Sequence, residues 1–279
     1  MAHPVLHQAF LPATRDRVDA YVWKYSLEHG GRRPRHFHAE PELNLVVNGW
    51  AEFGVGETTL RVAKGDLIGF PAGQDHVLID TSPDVFLFAI GMSPMLASEV
   101  LDGSSGEASV PLHLRLDADE LQALARRAEQ AVDRLGMEQP CAELWEQVHW
   151  LGRRRPEGRN GALHVLTKRA LQLVSESPDL GLEAVARSAK SIPSEVSRYF
   201  HRDLGMTFVR YRTRLRLLRF MGLVDEHRGN WNTAAIAAGF GSYSQCHRSF
   251  QAELGCSPRA YFNSGLRQEM QQVYAPAAG

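Results

Sequence analysis

Between residue 18 and about residue 91, apolar positions come in short runs or alternate with polar ones, and turn residues separate the runs at even spacing. Residues 21–23, 43–47, 51–53, 58–62, 67–70, 76–79 and 85–90 therefore predict short strands. Asn48-Gly49 and Gly54-Val55-Gly56-Glu57 supply tight turns between them. A set of this kind predicts a double-sheet jelly roll or small barrel. The residues before it, 1–17, read as an arm. Those after it, 92–116, read as loop, with a flexible tip at Gly103-Ser104-Ser105-Gly106. The period then changes to helical. Leu121, Leu124, Ala128, Ala131 and Leu135 make one stripe over residues 117–135, which Gly136 ends, and Leu144, Trp145, Val148 and Leu151 make another over residues 141–151.

A charged, Pro/Gly-rich stretch at 152–161 reads as a linker. From 162 onward the chain is helical in pattern and holds an internal duplication. Arg198, Phe200, Gly205 and Tyr211 recur 50 residues later as Arg248, Phe250, Gly255 and Tyr261, while the leading alanines, Ala186 and Ala235, are 49 apart. One turn is thus a residue longer in the second copy. Each copy reads as helix, turn, helix. Pro193 suits the first position of one second helix, Ser242 suits the cap of the other, and Gly205 and Gly255 suit left-handed stops.

The second helix of such a unit enters the DNA major groove. Its outward positions here are Ser194, Ser197, Arg198 and His201 in one copy, and Tyr243, Ser244, Gln245 and Arg248 in the other. Arg reads guanine bidentately, Gln reads adenine, and Ser takes several partners. Arg198 and Arg248 are the expected base contacts. The connector carries Arg210, Arg212, Arg214, Arg216 and Arg219, some of which are expected to neutralise phosphates, with Leu215, Leu218 and Phe220 as its core face. A connector helix of about 16 residues spans about 24 Å. That length could hold two reading helices about one DNA turn, near 34 Å, apart.

Residues 161–262 resemble the DNA-binding domain of the AraC/XylS family of transcription regulators. The resemblance rests on Leu182-Glu183-x-Val185-Ala186, Pro193-x-x-Val196-Ser197-Arg198-x-Phe200, Leu204-Gly205-Met206, and Tyr211 with Arg216. In the second half it rests on Ala235-(x)3-Gly239-Phe240, Ser244, Arg248-x-Phe250 and Gly255-Cys256-Ser257-Pro258-x-x-Tyr261. Three positions depart from the pattern. Ile192 stands where a capping Ser is usual, Ala234 where Ile is usual, and Cys246 where a larger apolar residue is common.

The strand region carries two further motifs, Gly30-(x)5-His36-x-His38-(x)3-Glu42-(x)6-Gly49 and Gly65-(x)5-Pro71-x-Gly73-(x)2-His76-(x)3-Asp80. Over residues 18–92 they resemble the two cupin motifs, with Asp80 where Asn is usual. His36, His38 and Glu42 differ by even numbers and are expected on one strand face, with His76 returned to it by the Pro-x-Gly turn. Three imidazoles and a carboxylate suit a divalent metal such as Zn, Ni, Fe or Mn. Two alternatives stand beside metal binding: a barrel mouth that keeps the motif without metal, and an anion site that uses Arg32, Arg33 and Arg35. No acid–base or nucleophile set accompanies the motif, so no enzyme is expected.

Composition adds one asymmetry. The net charge is −1, yet residues 160–279 hold 15 Lys+Arg against 9 Asp+Glu, and residues 1–159 hold 16 against 23. A basic half beside an acidic half suits a DNA-binding module joined to one that avoids DNA. Cys141, Cys246 and Cys256 have no paired spacing and read as reduced packing residues. No apolar run approaches the ~20 residues of a membrane span, and no signal pattern opens the chain.

The expected fold is thus a two-domain one: an N-terminal all-β cupin-like jelly-roll barrel followed by helices, then a C-terminal all-α domain with two helix-turn-helix motifs. Residues 1–151 are expected to bind effector and to dimerise, 152–161 to link, 162–266 to bind DNA, and 267–279 to form a tail. The expected function is a cytoplasmic, sequence-specific transcription regulator whose barrel senses a small molecule. The alternative is a metal-binding cupin, sensor or enzyme, fused to a DNA-binding domain. Expected partners are double-stranded DNA, a small-molecule effector and a second copy of the chain, with RNA polymerase as a further candidate and no membrane.

Overall fold

A computed structural model describes residues 6–7, 10–11, 18–27, 34–102, 113–132, 134–154, 163–227 and 230–263. The strands are β1 (Leu6–His7), β2 (Ala20–Ser26), β3 (His36–Phe37), β4 (Glu42–Asn48), β5 (Trp50–Val55), β6 (Thr58–Ala63), β7 (Asp66–Phe70), β8 (His76–Thr81) and β9 (Phe86–Met92), with β10 (His113–Arg115) after helix α1 (Pro94–Asp102). They form two five-stranded sheets, ordered β1-β3-β8-β5-β6 and β10-β7-β4-β9-β2. Asn48-Gly49, with Gly49 at φ +68°, passes the chain from β4 in one sheet to β5 in the other.

Strand β4 shows why the second sheet reads as apolar throughout. Leu43 and Leu45 face outward, onto α2 (Ala118–Ala131) and α3 (Glu138–Arg154), where Leu121, Leu124, Leu144, Trp145 and Val148 bury them. Val46, on the other face, packs between the sheets with Phe53, Val62, Ile68, Phe70 and Leu87. A strand covered on both faces loses its alternation.

Several boundaries differ from the sequence reading. Helix α2 stops at Ala131, so Leu135 leaves the stripe and is 55% exposed. A capping box between Asp117 and Glu120 starts that helix. Residues 92–116 are not loop throughout. Leu96, Ala97 and Val100 give α1 a short apolar stripe, and β10 adds to β7. Helix α3 continues through Gly152 to Arg154, the first residues of the expected linker. The expected tip at 103–106, Gly30, Arg32, Arg33, the remainder of the linker and the tail fall outside the described residues.

The C-terminal helices are α4 (Val165–Glu176), α5 (Leu182–Ser188), α6 (Pro193–Leu204), α7 (Phe208–Glu226), α8 (Trp231–Ala237), α9 (Tyr243–Leu254) and α10 (Pro258–Asn263). They make two cores. Val185, Ala186, Val196, Phe200 and Tyr211 lie in the first, and Ala234, Ala235, Cys246, Phe250 and Tyr261 in the second. Helix α7 serves both, giving Leu215 to the first and Leu217, Phe220, Met221 and Val224 to the second. At 19 residues it is about 28 Å long, and it passes through Gly222 without a break.

Candidate functional site

The duplicated helices keep their register in three dimensions. Val196, Phe200 and Leu204 are the buried set of α6, and Cys246, Phe250 and Leu254 are that of α9. Gly205 and Gly255 end them in left-handed conformation, at φ +61° and +71°. The opposite faces stay open. Ser194, Arg198, His201, Ser244, Gln245 and Arg248 are exposed, while Ser197 and Tyr243 are half-buried. Tyr243 leans on Trp231 and His247.

The ends of the two helices differ, as the residues there require. Ser242 caps α9 by accepting the Gln245 N–H at 3.2 Å, and the Gln245 Oε1 accepts the Gly241 N–H at 2.9 Å. Gln245 is therefore already engaged in the free protein. Ile192 makes no side-chain cap to α6 and is 57% exposed. Tyr199 is half-buried. His164 stacks on it at 3.5 Å, and the Arg198 and Arg202 guanidinium groups each sit 4.8 Å from its ring. That stack sets the direction of Arg198.

Most connector arginines have partners inside the protein. Arg212 donates to the Leu180 carbonyl, Arg216 donates to those of Pro178 and Asp179, and Arg210 pairs with Glu253. Arg214 is buried. Four of the five expected phosphate candidates are thus used inside the protein, and Arg219 remains exposed.

The barrel brings His36, His38, Glu42 and His76 together, by a different route from a shared strand face. His36 and His76 are register partners on β3 and β8, whereas Glu42 reaches them from β4 in the facing sheet. Pro41 lies in the crossover between the sheets, so the even spacing does not carry Glu42 along the same strand. All four side chains are buried. Ligand atoms of the three histidines lie within 4.8 Å of one another. Each Nδ1 is tied to a backbone carbonyl: His36 to Pro34 at 2.8 Å, His38 to Glu40 at 2.6 Å, and His76 to Gln74 at 3.2 Å. These bonds orient the rings as the outer partners of metal-binding histidines do. The Glu42 Oε2 lies 2.9 Å from the His38 Nε2 and 3.2 Å from the His76 Nε2, and its Oε1 accepts from Asn44 at 2.8 Å.

Burial opposes charge on Glu42, yet the neighbouring His76 charge and the hydrogen bonds from His38 and His76 hold its carboxyl well below the usual range. Burial likewise works against a charged His38, but its hydrogen bond to Glu42 and the nearby Glu42 and Glu40 charges lift it above the ordinary imidazole value. Phe10, 1% exposed, sets its ring 5.7 Å from that of His38 and fills the space where a Cβ on Gly91 would stand. The histidine cluster is thereby capped by the arm.

Two important residues escaped the sequence reading, Phe10 and Asp75, and so did the burial of Arg214. Arg214 did leave a signal, since Tyr211, Arg214, Leu215 and Leu218 share one helical stripe, and a charge on an apolar stripe calls for a buried partner.

Residues 167–264 match a family described as a helix-turn-helix domain, and residues 23–90 match a cupin domain. The melibiose operon regulatory protein of Escherichia coli is 22% identical over 94% of this chain and 95% of its own length. An uncharacterised protein of Streptomyces coelicolor is 33% identical over 31% of this chain and 81% of its own length. Among solved structures, ToxT of Vibrio cholerae with an unsaturated fatty acid bound covers 88% of this chain and 94% of its own, at 10% identity and a TM-score of 0.45. Among the described residues no helix is long and apolar enough to cross a membrane.

Proposed function

We propose, from the premise that this chain is an AraC/XylS-family transcription regulator with an N-terminal cupin-like domain, that α6 and α9 read two successive major-groove segments of one operator. The observation that carries this is the pair of duplicated helices, each with an exposed Arg two residues before a buried Phe. Arg198 and Arg248 take the base contacts. Ser194, Ser197, His201, Tyr243, Ser244 and Gln245 line the same faces. Sites selected from random DNA by the full chain test the reading. On a selected site Arg248→Ala should weaken binding by about 1–3 kcal/mol and leave scrambled DNA nearly unaffected. Equal loss on both sequences would place Arg248 on phosphate instead.

The barrel, in this reading, is a sensor. The clustered histidines with Glu42, their Nδ1 atoms anchored outward, fit a divalent ion such as Zn, Ni, Fe or Mn. His36, His38, His76 and Glu42 would hold it, and the chemistry it would supply is a cross-link between the two sheets. The second reading is a small anionic effector, drawn from the basic run Arg32, Arg33 and Arg35, although Arg35 itself pairs with Asp75 at 2.8 Å. The function is non-enzymatic and cytoplasmic, within the division 1–151, 152–161, 162–266 and 267–279. A homodimer formed through the helices that cover the barrel belongs to the proposal, and Trp150 exposed on α3 supports it. RNA polymerase is the macromolecular partner expected beyond DNA.

A further inference from the structure

The two reading helices are copies in their cores but not beside their arginines. At the 50-residue register, Tyr199, Arg202 and Asp203 of α6 correspond to Ser249, Ala252 and Glu253 of α9. On α6 the Tyr199 ring meets an imidazole and two guanidinium groups. The His164 ring lies 3.5 Å from it, centre to centre, with the planes 3° apart. The Arg198 and Arg202 guanidinium groups each lie 4.8 Å from its centre. On α9 Ser249 has no ring to offer. Among the described residues none makes a hydrogen bond, ion pair or ring contact with the Arg248 side chain.

The imidazole of that stack is itself fixed. The His164 backbone N–H donates to the Asp203 carboxylate at 2.8 Å, and its Nδ1 accepts the Leu166 N–H at 3.2 Å, which caps α4. Asp203 also accepts from the Thr167 hydroxyl at 2.6 Å and from the Arg202 Nε at 2.7 Å. The stack is thus tied to the start of α4 and to the last turn of α6. Glu253, the counterpart of Asp203, serves Arg210 and Arg214 instead. Tyr199 and His164 are both half-buried, and Val196, Phe200 and Leu204 already form the buried set of α6. Packing alone therefore does not account for the stack.

We infer that Tyr199 is a positioning residue for Arg198 and makes α6 the stricter of the two readers, an inference that rests on the DNA-reading function proposed above. An unrestrained arginine loses rotamer freedom when it docks on a base edge. Arg198 has lost part of that freedom before DNA arrives, because its cation rests against the electron-rich ring. Arg202 shares the ring but is neutralised by Asp203, so among the described residues Arg198 is the cation of the stack left without an acidic partner. A guanidinium fork must meet guanine O6 and N7 together, so a restrained one favours that geometry over loose contact with phosphate. Restraining one such side chain in advance strengthens binding about two- to tenfold. Arg248 bears the whole loss when it docks, so its contact discriminates less.

Tyr199→Leu in the full chain tests this, with Tyr199→Phe as the variant that keeps the ring. The first readout needs no DNA. In arginine-labelled protein the ring current of Tyr199 should move the Arg198 δ-proton resonances upfield; Tyr199→Leu should abolish that shift and Tyr199→Phe should keep it. The second uses a site selected by the parent chain. The base pairs at which Arg198→Ala loses discrimination define its segment. There Tyr199→Leu should lower discrimination about two- to tenfold, and it should add nothing in the Arg198→Ala background. Discrimination at the base pairs that Arg248→Ala affects should stay unchanged, and Tyr199→Phe should match the parent throughout. Unmoved δ-proton resonances overturn the positioning. Moved resonances with intact discrimination, or an equal loss in the Arg198→Ala background, overturn its part in specificity. Should Tyr199→Leu not fold, His164→Asn keeps an oxygen cap for α4 and removes the stacked imidazole, with the same two expected directions. If Arg198→Ala weakens binding to all sequences equally, the base-reading role of Arg198 fails, and the δ-proton resonances still decide whether Tyr199 positions it.

Discussion

Replacing Phe10 with Ala is the sharpest probe of the barrel. Its ring is buried against Gly91 and the ring of His38, and its carbonyl accepts the Trp23 Nε1–H at 2.9 Å. Two magnitudes compete. A loosely seated arm residue would lose little on truncation, below about 1 kcal/mol. A Phe that acts as core loses its transfer energy and leaves a cavity, about 3–5 kcal/mol in all. At roughly 2–4 °C per kcal/mol for a unit of this size, the second case lowers the barrel's melting transition by about 6–20 °C. Near-complete burial and the absence of room for a Cβ at Gly91 favour the second value. Gly91→Ala is the companion variant, because it expels the ring and leaves the Phe in the chain. Differential scanning calorimetry reads the stability. Acylation of His38 by diethylpyrocarbonate, followed by peptide mass spectrometry, reads access to the cluster. Both variants should melt lower and acylate faster than the parent. A transition moved by less than a degree, with unchanged acylation, would refute the view of Phe10 as a plug.

Zinc added to chelator-treated protein should bind at one ion per chain and stabilise the barrel by about 2.7 kcal/mol at a hundredfold excess over Kd. His76→Ala should abolish both effects, and the absence of stoichiometric zinc, nickel, iron or manganese would remove the metal reading. Ile192→Ser should add about 1 kcal/mol by giving α6 the cap that Ser242 gives α9. Urea unfolding with no gain would show that another group already satisfies that helix end. Burial pushes the Cys141 and Cys246 thiols up to about 12. Alkylation at pH 8 should therefore be slow until the protein is unfolded, and rapid labelling of native protein would contradict their packing role.

The duplication was legible because it is local. Phe200 and Phe250 bury, Gly205 and Gly255 turn left-handed, and the one-residue difference between the copies appears as a longer turn before α9. The histidine set was legible as a motif, but its assembly was not, because period-two reasoning cannot foresee a crossover that brings Glu42 in from the opposite sheet. The internal partners of four α7 arginines were not legible for a similar reason. Their partners Pro178, Asp179, Leu180 and Glu253 lie tens of residues away, and Asp75 lies 139 residues away. Phe10 was hidden in a stretch with too few apolar neighbours to show a period. Its place depends on a gap that exists only once β9 has folded.

The pairing of Leu6–His7 alongside His36–Phe37 has a practical consequence. Those two residues supply the outermost rung of their sheet, and a shortened chain beginning at residue 11 would leave the rim of β3 with unmatched N–H and C=O groups. Such rims recruit strands from other molecules. Trimming the amino end to ease crystallisation would then favour self-association through the very strand that carries His36.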